Sequence, residues 1–272
     1  MNEGAVVVAG AAGGIGAATA VALADLGPLV LVDRDASALN QVAADLPAGC
    51  VAQVVCADLT RSEGLAEVAA AVVRPGVRAL AYTAGIGPVQ TDDGVEILDV
   101  NLRAPIALIA ELGPHLRPGA SAVVIGSVAS RRASSAFDAE LTDPLAPGWL
   151  ARWRQLNPAA WDAYALSKRG LARAVATTAV AAGARGVRVN VVSPAQTATA
   201  IGLASFAERA DIREFIGRLP IPRMAQPGEV ASAVRFLADH ASAYITGIEL
   251  YLDGGAGAAE VAMVPQAVGG PI

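Results

Sequence analysis

The chain almost lacks lysine: of 20 basic residues, Lys168 alone is lysine and the rest are arginine. Cysteine occurs twice, Cys50 and Cys56, without CxxC spacing. That pair gives neither a disulfide framework nor a metal site. Two small buried apolar side chains flanking a strand are expected instead. His115 and His240 stand apart, so no metal role is assigned to either. Positive charge is scarce as well. The net charge is -5 and no basic stripe occurs, which argues against nucleic acid as a partner. No arginine cluster adjoins an apolar run, so no polybasic membrane anchor is expected. Residues 4–24 carry no charge, but Glu3 precedes them and five glycines interrupt them. A strand, a glycine turn and a buried helix explain that run better than a signal peptide or a membrane span. A cytoplasmic protein is the expectation. Hydrophobic residues make up 54%, which hints at area buried between subunits of a homo-oligomer.

What is present alternates. Continuous apolar runs of strand length occur at 5–10, 28–33, 51–57, 77–85, 121–127, 186–193 and 247–253. Unbroken runs suit strands buried on both faces. Helical patterns fill 14–26, 36–46, 62–74, 94–116, 161–183 and 227–239, with Asp35 or Ser37, Ser62 and Asp93 as N-caps. The expected fold is a single α/β domain over 1–272, a doubly wound sheet of about seven parallel strands. Two segments break the alternation: an insertion at 131–160, and a tail of small and apolar residues at 256–272.

The first strand runs into AGAAGGIG, with Gly10, Gly14, Ile15 and Gly16. Glycines there let backbone approach a pyrophosphate, and the next helix points its N-terminus at the anion. Asp33 ends the second strand, where a carboxylate accepts from ribose hydroxyls and repels a 2′-phosphate. NAD is therefore expected over NADP, although the neighbouring Arg34 is able to pair with that phosphate. Asp58, followed by Leu59, reads either as a contact to the adenine edge or as an N-cap.

Tyr164 and Lys168 are four residues apart on a predicted helix and so share a face. A cation beside a phenol favours the phenolate, tuning tyrosine toward general acid–base work. Lysine suits that task as a compact point charge with three donors, which arginine's fork does not replace.

Together the GxxxGIG turn, the YTAG stretch at 82–85, Asn101, Ser127 and YxxxK resemble the short-chain dehydrogenase/reductase family, from Gly4 through LDGG at 252–255. The resemblance implies a Rossmann-like fold, with Tyr164 moving the substrate proton. It implies that Lys168 holds the nicotinamide ribose, Ser127 orients the substrate oxygen and Asn101 supports a proton relay. Ala84 and Gly85 fall in the turn along the adenine ribose. Pro194, Thr197 and Thr199 fall in the loop that meets the nicotinamide amide. Ala9, Thr83 and Ala195 depart from the family pattern. The insertion after SVAS resembles the subgroup of 3α-hydroxysteroid dehydrogenase/carbonyl reductase.

In the insertion, Trp149, Leu150, Trp153 and Leu156 share a helical face. Either it packs on the domain body, or it covers a surface that other members use for pairing subunits, as dimer or tetramer. Residues 200–219 form an amphipathic stretch suited to cover a hydrophobic substrate. The expected activity is hydride transfer between NAD(H) and a hydrophobic secondary alcohol or ketone, cyclic and steroid-, terpenoid- or aromatic-like. An NADPH-dependent carbonyl reductase and a non-catalytic dinucleotide sensor are the rival readings.

Overall fold

Alternate residues of the first strand face opposite sides of the sheet. Ala5, Val7 and Ala9 enter one apolar core and Val6 and Val8 the other, so an unbroken apolar run follows from burial on both faces. The computed structural model describes residues 4–74 and 76–263. Its strands are β1 (Ala5–Ala9), β2 (Leu29–Asp33), β3 (Val51–Cys56), β4 (Val77–Tyr82), β5 (Leu116–Ile125), β6 (Arg188–Pro194) and β7 (Glu249–Leu252). They form one parallel seven-stranded sheet in the order β3-β2-β1-β4-β5-β6-β7. The helices are α1 (Gly14–Leu23), α2 (Ala36–Asp45), α3 (Ser62–Ala71), α4 (Gly94–Leu98), α5 (Ala104–Leu112), α6 (Trp149–Leu156), α7 (Ala160–Gly183), α8 (Ala200–Glu208), α9 (Ala210–Gly217), α10 (Pro227–Ala238) and α11 (Ala256–Met263). Side chains of α1, α2 and α10 fill one core, and those of α3, α4, α5 and α7 the other. This is the doubly wound, Rossmann-like single domain. No helix among the described residues is long and apolar enough to cross a membrane.

Several local expectations need correction. Burial on both faces fails for β3, which is largely exposed because it is an edge strand. For the same reason Cys56 is exposed and Cys50 only half-buried. Asp35 and Asp93 do cap α2 and α4, but Arg61, not Ser62, stands at the α3 N-cap. The helix expected over 94–116 is interrupted by a π-helical turn at Asp99–Arg103 and ends in a 3₁₀ turn at Gly113–His115. Strand β5 begins five residues earlier than its apolar run and stops at Ile125, leaving Ser127 beyond its end. Within the C-terminal tail, Ala256–Met263 is helical and the remainder lies outside the described residues.

The insertion folds onto the body of the domain. Trp153 is fully buried, with its ring 5.9 Å from those of Phe137 and Trp149. Trp149 Nε1 donates to the Glu140 carbonyl at 2.7 Å. Asp138 accepts both Nε (2.6 Å) and Nη2 (2.9 Å) of Arg169, and Arg173 approaches it at 3.4 Å, so three groups tie the insertion to α7. Gly170 makes the seat: a Cβ there would lie 2.6 Å from Leu102 Cδ2 and 3.0 Å from Leu141 Cδ2. Trp153→Ala is expected to cost about 3–5 kcal/mol, read from the urea unfolding midpoint. A loss below about 1 kcal/mol would show the insertion to be a detachable flap.

Candidate active site

The order of strands reverses between β1 and β4, and a cleft opens at the carboxyl ends of the strands there, as such sheets require. Gly10 adopts φ 84°, and a Cβ on it would lie 2.2 Å from the Ala84 nitrogen. A Cβ on Gly16 would lie 1.9 Å from the Gly10 carbonyl oxygen. These two glycines let the β1–α1 turn close against the end of β4. No side chain caps α1, so its first-turn N–H groups are available to an anion.

Beside the glycine turn lies a cavity of about 500 Å³, with Gly14, Ile15, Asp33, Arg34, Asp58 and Leu59 in its wall. Asp33 does two jobs. One carboxylate oxygen accepts from the Ala12 nitrogen (3.0 Å) and the other from the Asp35 nitrogen (3.2 Å), which pins the glycine turn to β2. Arg34 is exposed beside it. Asp58 accepts from the backbone and hydroxyl of Thr60 (2.9 and 2.7 Å) and does not cap α3. Burial acts to raise its carboxyl, but the Thr60 hydrogen bonds leave it below the usual range. Thr83, one of the departures, donates its hydroxyl to the Ala9 carbonyl (2.8 Å) and approaches that of Gly10 (3.1 Å), tying β4 to β1.

A second cavity of about 410 Å³ adjoins the first and shares Ile15, Ala84, Gly85 and Thr199 with it. Its wall carries Ser127, Tyr164 and Lys168, together with Pro194 and Thr197. Ser127 ends the β5 connection as the N-cap of the 3₁₀ turn Val128–Arg132, accepting from the Ala129 nitrogen at 3.2 Å. Thr199 caps α8 through the Gly202 nitrogen (3.2 Å) and packs over Gly14. The ammonium of Lys168 lies 5.7 Å from the centre of the Tyr164 ring and donates to the Ile125 carbonyl at 2.9 Å.

The electrostatics differ from the expected cation-tuned phenol. Burial pushes the Tyr164 phenol above its ordinary value, and a hydrogen bond with Ser127 works against that shift. Burial lowers the Lys168 ammonium to about 8. Desolvation thus disfavours the charge on both partners.

Asn101 and Gly16 line neither cavity. Asn101 is buried in the π turn, where its Oδ1 accepts from the Ile86 nitrogen (2.9 Å) and its Nδ2 donates to the Ile86 carbonyl (2.8 Å). It fastens the chain after β4 rather than facing the cavity. Gly85 lies between, and a Cβ on it would sit 3.1 Å from Asn101 Oδ1 and 3.8 Å from Lys168 Nζ. Sequence reasoning missed Ile86, Arg132 and Phe215 in the second wall. It also missed Glu249, whose carboxylate accepts from Ser130 (3.0 Å), Ser193 (2.6 Å) and Tyr251 (2.7 Å) behind the Ser127 turn.

Known proteins resemble this chain in sequence and fold. A family model described as short chain dehydrogenase matches residues 4–139, and one described as enoyl-(acyl carrier protein) reductase matches 153–257. The 3-alpha-hydroxysteroid dehydrogenase/carbonyl reductase of Comamonas testosteroni is 35% identical over 266 residues, covering 92% of this chain and 95% of that protein. The structure of the 3-alpha-hydroxysteroid dehydrogenase from Pseudomonas sp. B-0831 complexed with NADH superposes with a TM-score of 0.78 at 27% identity, covering 96% and 99% of the two chains. A short chain dehydrogenase from Burkholderia cenocepacia J2315 in complex with NADP gives 0.76 at 27%, covering 94% and 98%. With its fold, its glycine turn and these relatives in agreement, the chain belongs to the short-chain dehydrogenase/reductase family of NAD(P)-using oxidoreductases.

Proposed function

We propose that this protein oxidises a hydrophobic, cyclic secondary alcohol, or reduces the matching ketone, with NAD(H). One observation carries the reading: Ser127, Tyr164 and Lys168 share one cavity wall, and that cavity opens into the glycine-turn cavity. A bound dinucleotide would supply the hydride acceptor or donor. Gly14, Ile15 and the α1 N-terminus would hold its phosphates, and Asp33 its adenosine ribose. Ala84, Gly85, Asp58 and Leu59 would flank the adenosine, and Pro194, Thr197 and Thr199 the nicotinamide end. Tyr164 takes or returns the proton at the substrate oxygen, which Ser127 orients. Lys168 places positive charge beneath that step, and Asn101 acts at one remove by holding the Ile86 segment. Apolar Ile201, Ile212 and Phe215 on α8 and α9 support a hydrophobic substrate. The hydroxysteroid activity named for the Comamonas testosteroni relative supports a cyclic one. Following reduced-nicotinamide absorbance across a panel of cyclic secondary alcohols tests the proposal, and no turnover of any would defeat it.

Asp33 supports NAD, and Arg34 in the same wall favours the NADP alternative. Asp33→Ala is expected to lower kcat/KM with NAD about tenfold or more, through one lost charge-assisted contact, and to improve NADP relative to NAD. A wild-type protein that clearly prefers NADP overturns the assignment. The reading extends to a cytoplasmic homo-oligomer. Exposed Val180, Tyr244 and Ile248 support association. The insertion, seated on α7, supports pairing through another face, as in a dimer.

A further inference from the structure

We propose that Glu249 is a positioning residue for Ser127: one oxygen of its carboxylate holds, from behind, the turn that carries the Ser127 hydroxyl. The inference rests on the oxidoreductase reading above and adds a residue that lines neither cavity.

Glu249 and Tyr251 stand at alternate positions of β7 and so point to one face of the sheet. Their register partners on β6 are Val191 and Ser193, which share that face. The chain just before Ser127 rests on the same spot. A Cβ on Gly126 would lie 2.1 Å from Ser193 Oγ and 2.6 Å from Val191 Cγ1. Glu249 Oε1 accepts from Ser193 Oγ (2.6 Å) and from Ser130 Oγ (3.0 Å). Both serines are buried, and buried hydroxyls need an acceptor. An ionised carboxylate accepts only, so one oxygen serves both serines and the other is left for the Tyr251 hydroxyl at 2.7 Å.

A single oxygen atom therefore joins the residue beneath Gly126 to Ser130, and Ser127 lies between those two anchors in the chain. The segment is stiff within the bracket. The Ser130 nitrogen donates to the Ser127 carbonyl (3.0 Å) and the Ala129 nitrogen to the Ser127 hydroxyl (3.2 Å). Ser127 consequently moves only as the whole turn moves. Arg131 adds a second tie further along, with its guanidinium 5.0 Å from the centre of the Tyr251 ring and 3.6 Å from the Asp253 carboxylate. The Ser127 hydroxyl in turn hydrogen-bonds with Tyr164. Glu249 thus sets where the serine stands relative to the phenol, without touching substrate or dinucleotide.

A carboxylate that only satisfied buried hydroxyls would affect stability and not turnover, and steady-state kinetics on the full-length protein separate the two. The assay uses NAD with cyclohexanol, or with whichever cyclic alcohol of the panel the wild type oxidises fastest. Glu249→Ala is expected to lower kcat about 10- to 100-fold, as a misplaced catalytic group does, with KM for NAD unchanged. Glu249→Gln is expected to recover most of that loss, because its amide oxygen still accepts from both serines and its NH2 group meets the Tyr251 oxygen. Tyr251→Phe, which empties only the other carboxylate oxygen, is expected to leave kcat near that of wild type. Adding Glu249→Ala to Ser127→Ala is expected to cost nothing further, since the effect runs through Ser127. Equal losses in the two backgrounds overturn the inference. So does a Glu249→Gln no better than Glu249→Ala, and so does a Glu249→Ala with wild-type kcat. Should Glu249→Ala fail to fold, Ser130→Ala decides. A kcat loss that vanishes in the Ser127→Ala background supports the inference, and an unchanged kcat overturns it. Each of these contrary results spares the oxidoreductase reading, whereas a wild type that oxidises no alcohol of the panel overturns both.

Discussion

Tyr164→Phe is expected to lose turnover by about 10²- to 10⁴-fold, the usual worth of a positioned acid or base, while folding and dinucleotide binding persist. The hydroxyl is one oxygen on a wall already shaped by Ser127, Lys168 and the β5 and β6 ends. Its removal leaves the ring, and with it the packing. Dinucleotide binding measured by calorimetry, beside single-turnover rates, separates a lost proton transfer from a lost site. A folded variant that retains turnover removes Tyr164 from the chemistry. The pH dependence follows from the direction of its shift. Burial raises the phenol, so the form that accepts a proton gains population only as pH rises above neutrality. Alcohol oxidation in the wild type is expected to climb through the alkaline range, whereas ketone reduction, which uses the protonated phenol, is expected to hold there, since the raised phenol keeps its proton beyond the ordinary tyrosine value. An oxidation rate that is flat or declining from pH 7 to 10 contradicts the assignment.

Lys168→Met is expected to pair a loss of about 100-fold or more in turnover with a gain in stability at pH 7. The lysine's folded value, about 8, lies below its ordinary 10.5. Between those values the unfolded chain keeps a proton that the folded chain has released, so wild-type stability rises with pH across that window. Below pH 8 the buried ammonium exerts its full cost. Methionine removes that cost, at most roughly 3 kcal/mol, but strands the Ile125 carbonyl, at about 1 kcal/mol. The variant's advantage is expected to shrink toward pH 10.5. Denaturant midpoints collected from pH 6 to 10.5 measure it. A variant less stable than wild type throughout would mean that the Ile125 hydrogen bond outweighs desolvation.

The sheet was legible because its strands were. Val6–Ala9 and Leu29–Val32 are apolar without interruption, as burial on both faces favours. The outer strand β3 misled because a largely apolar composition also serves at an edge, and Gln53 alone within Val51–Cys56 hinted at its exposure. At 113–114 the Gly-Pro pair was a helix terminator in plain view, outweighed by the apolar run around it. The π turn holds no glycine or proline itself, but Pro105 follows it and has no N–H to bond the Asn101 carbonyl, a breaker that the apolar run masked. The hydrogen-bond pair that ties Asn101 to Ile86 is tertiary, and sequence spacing does not encode it. At the site, Tyr164, Lys168 and Ser127 were recoverable from type and order, whereas the place of Arg132 in the same cavity wall was not, because it depends on Phe215 arriving from α9. The direction of the Tyr164 shift was missed for a related reason. Spacing reports which charges are neighbours, while burial depends on the whole fold.

The turn at Asp99–Arg103 has a consequence for how this chain tolerates change in length. A stretch of i→i+5 bonding is an ordinary helix accommodating one surplus residue. Deleting a single position there would remove the surplus and let α4 and α5 run on as one uniform rod, with the apolar sides of both still turned to the core. What would be lost is the widened turn that presents Asn101 to Ile86. A deletion at Asp99–Arg103 is therefore expected to leave the fold standing and to loosen the segment after β4, whereas the same deletion within Ala104–Leu112 would swing every residue beyond it by about 100°.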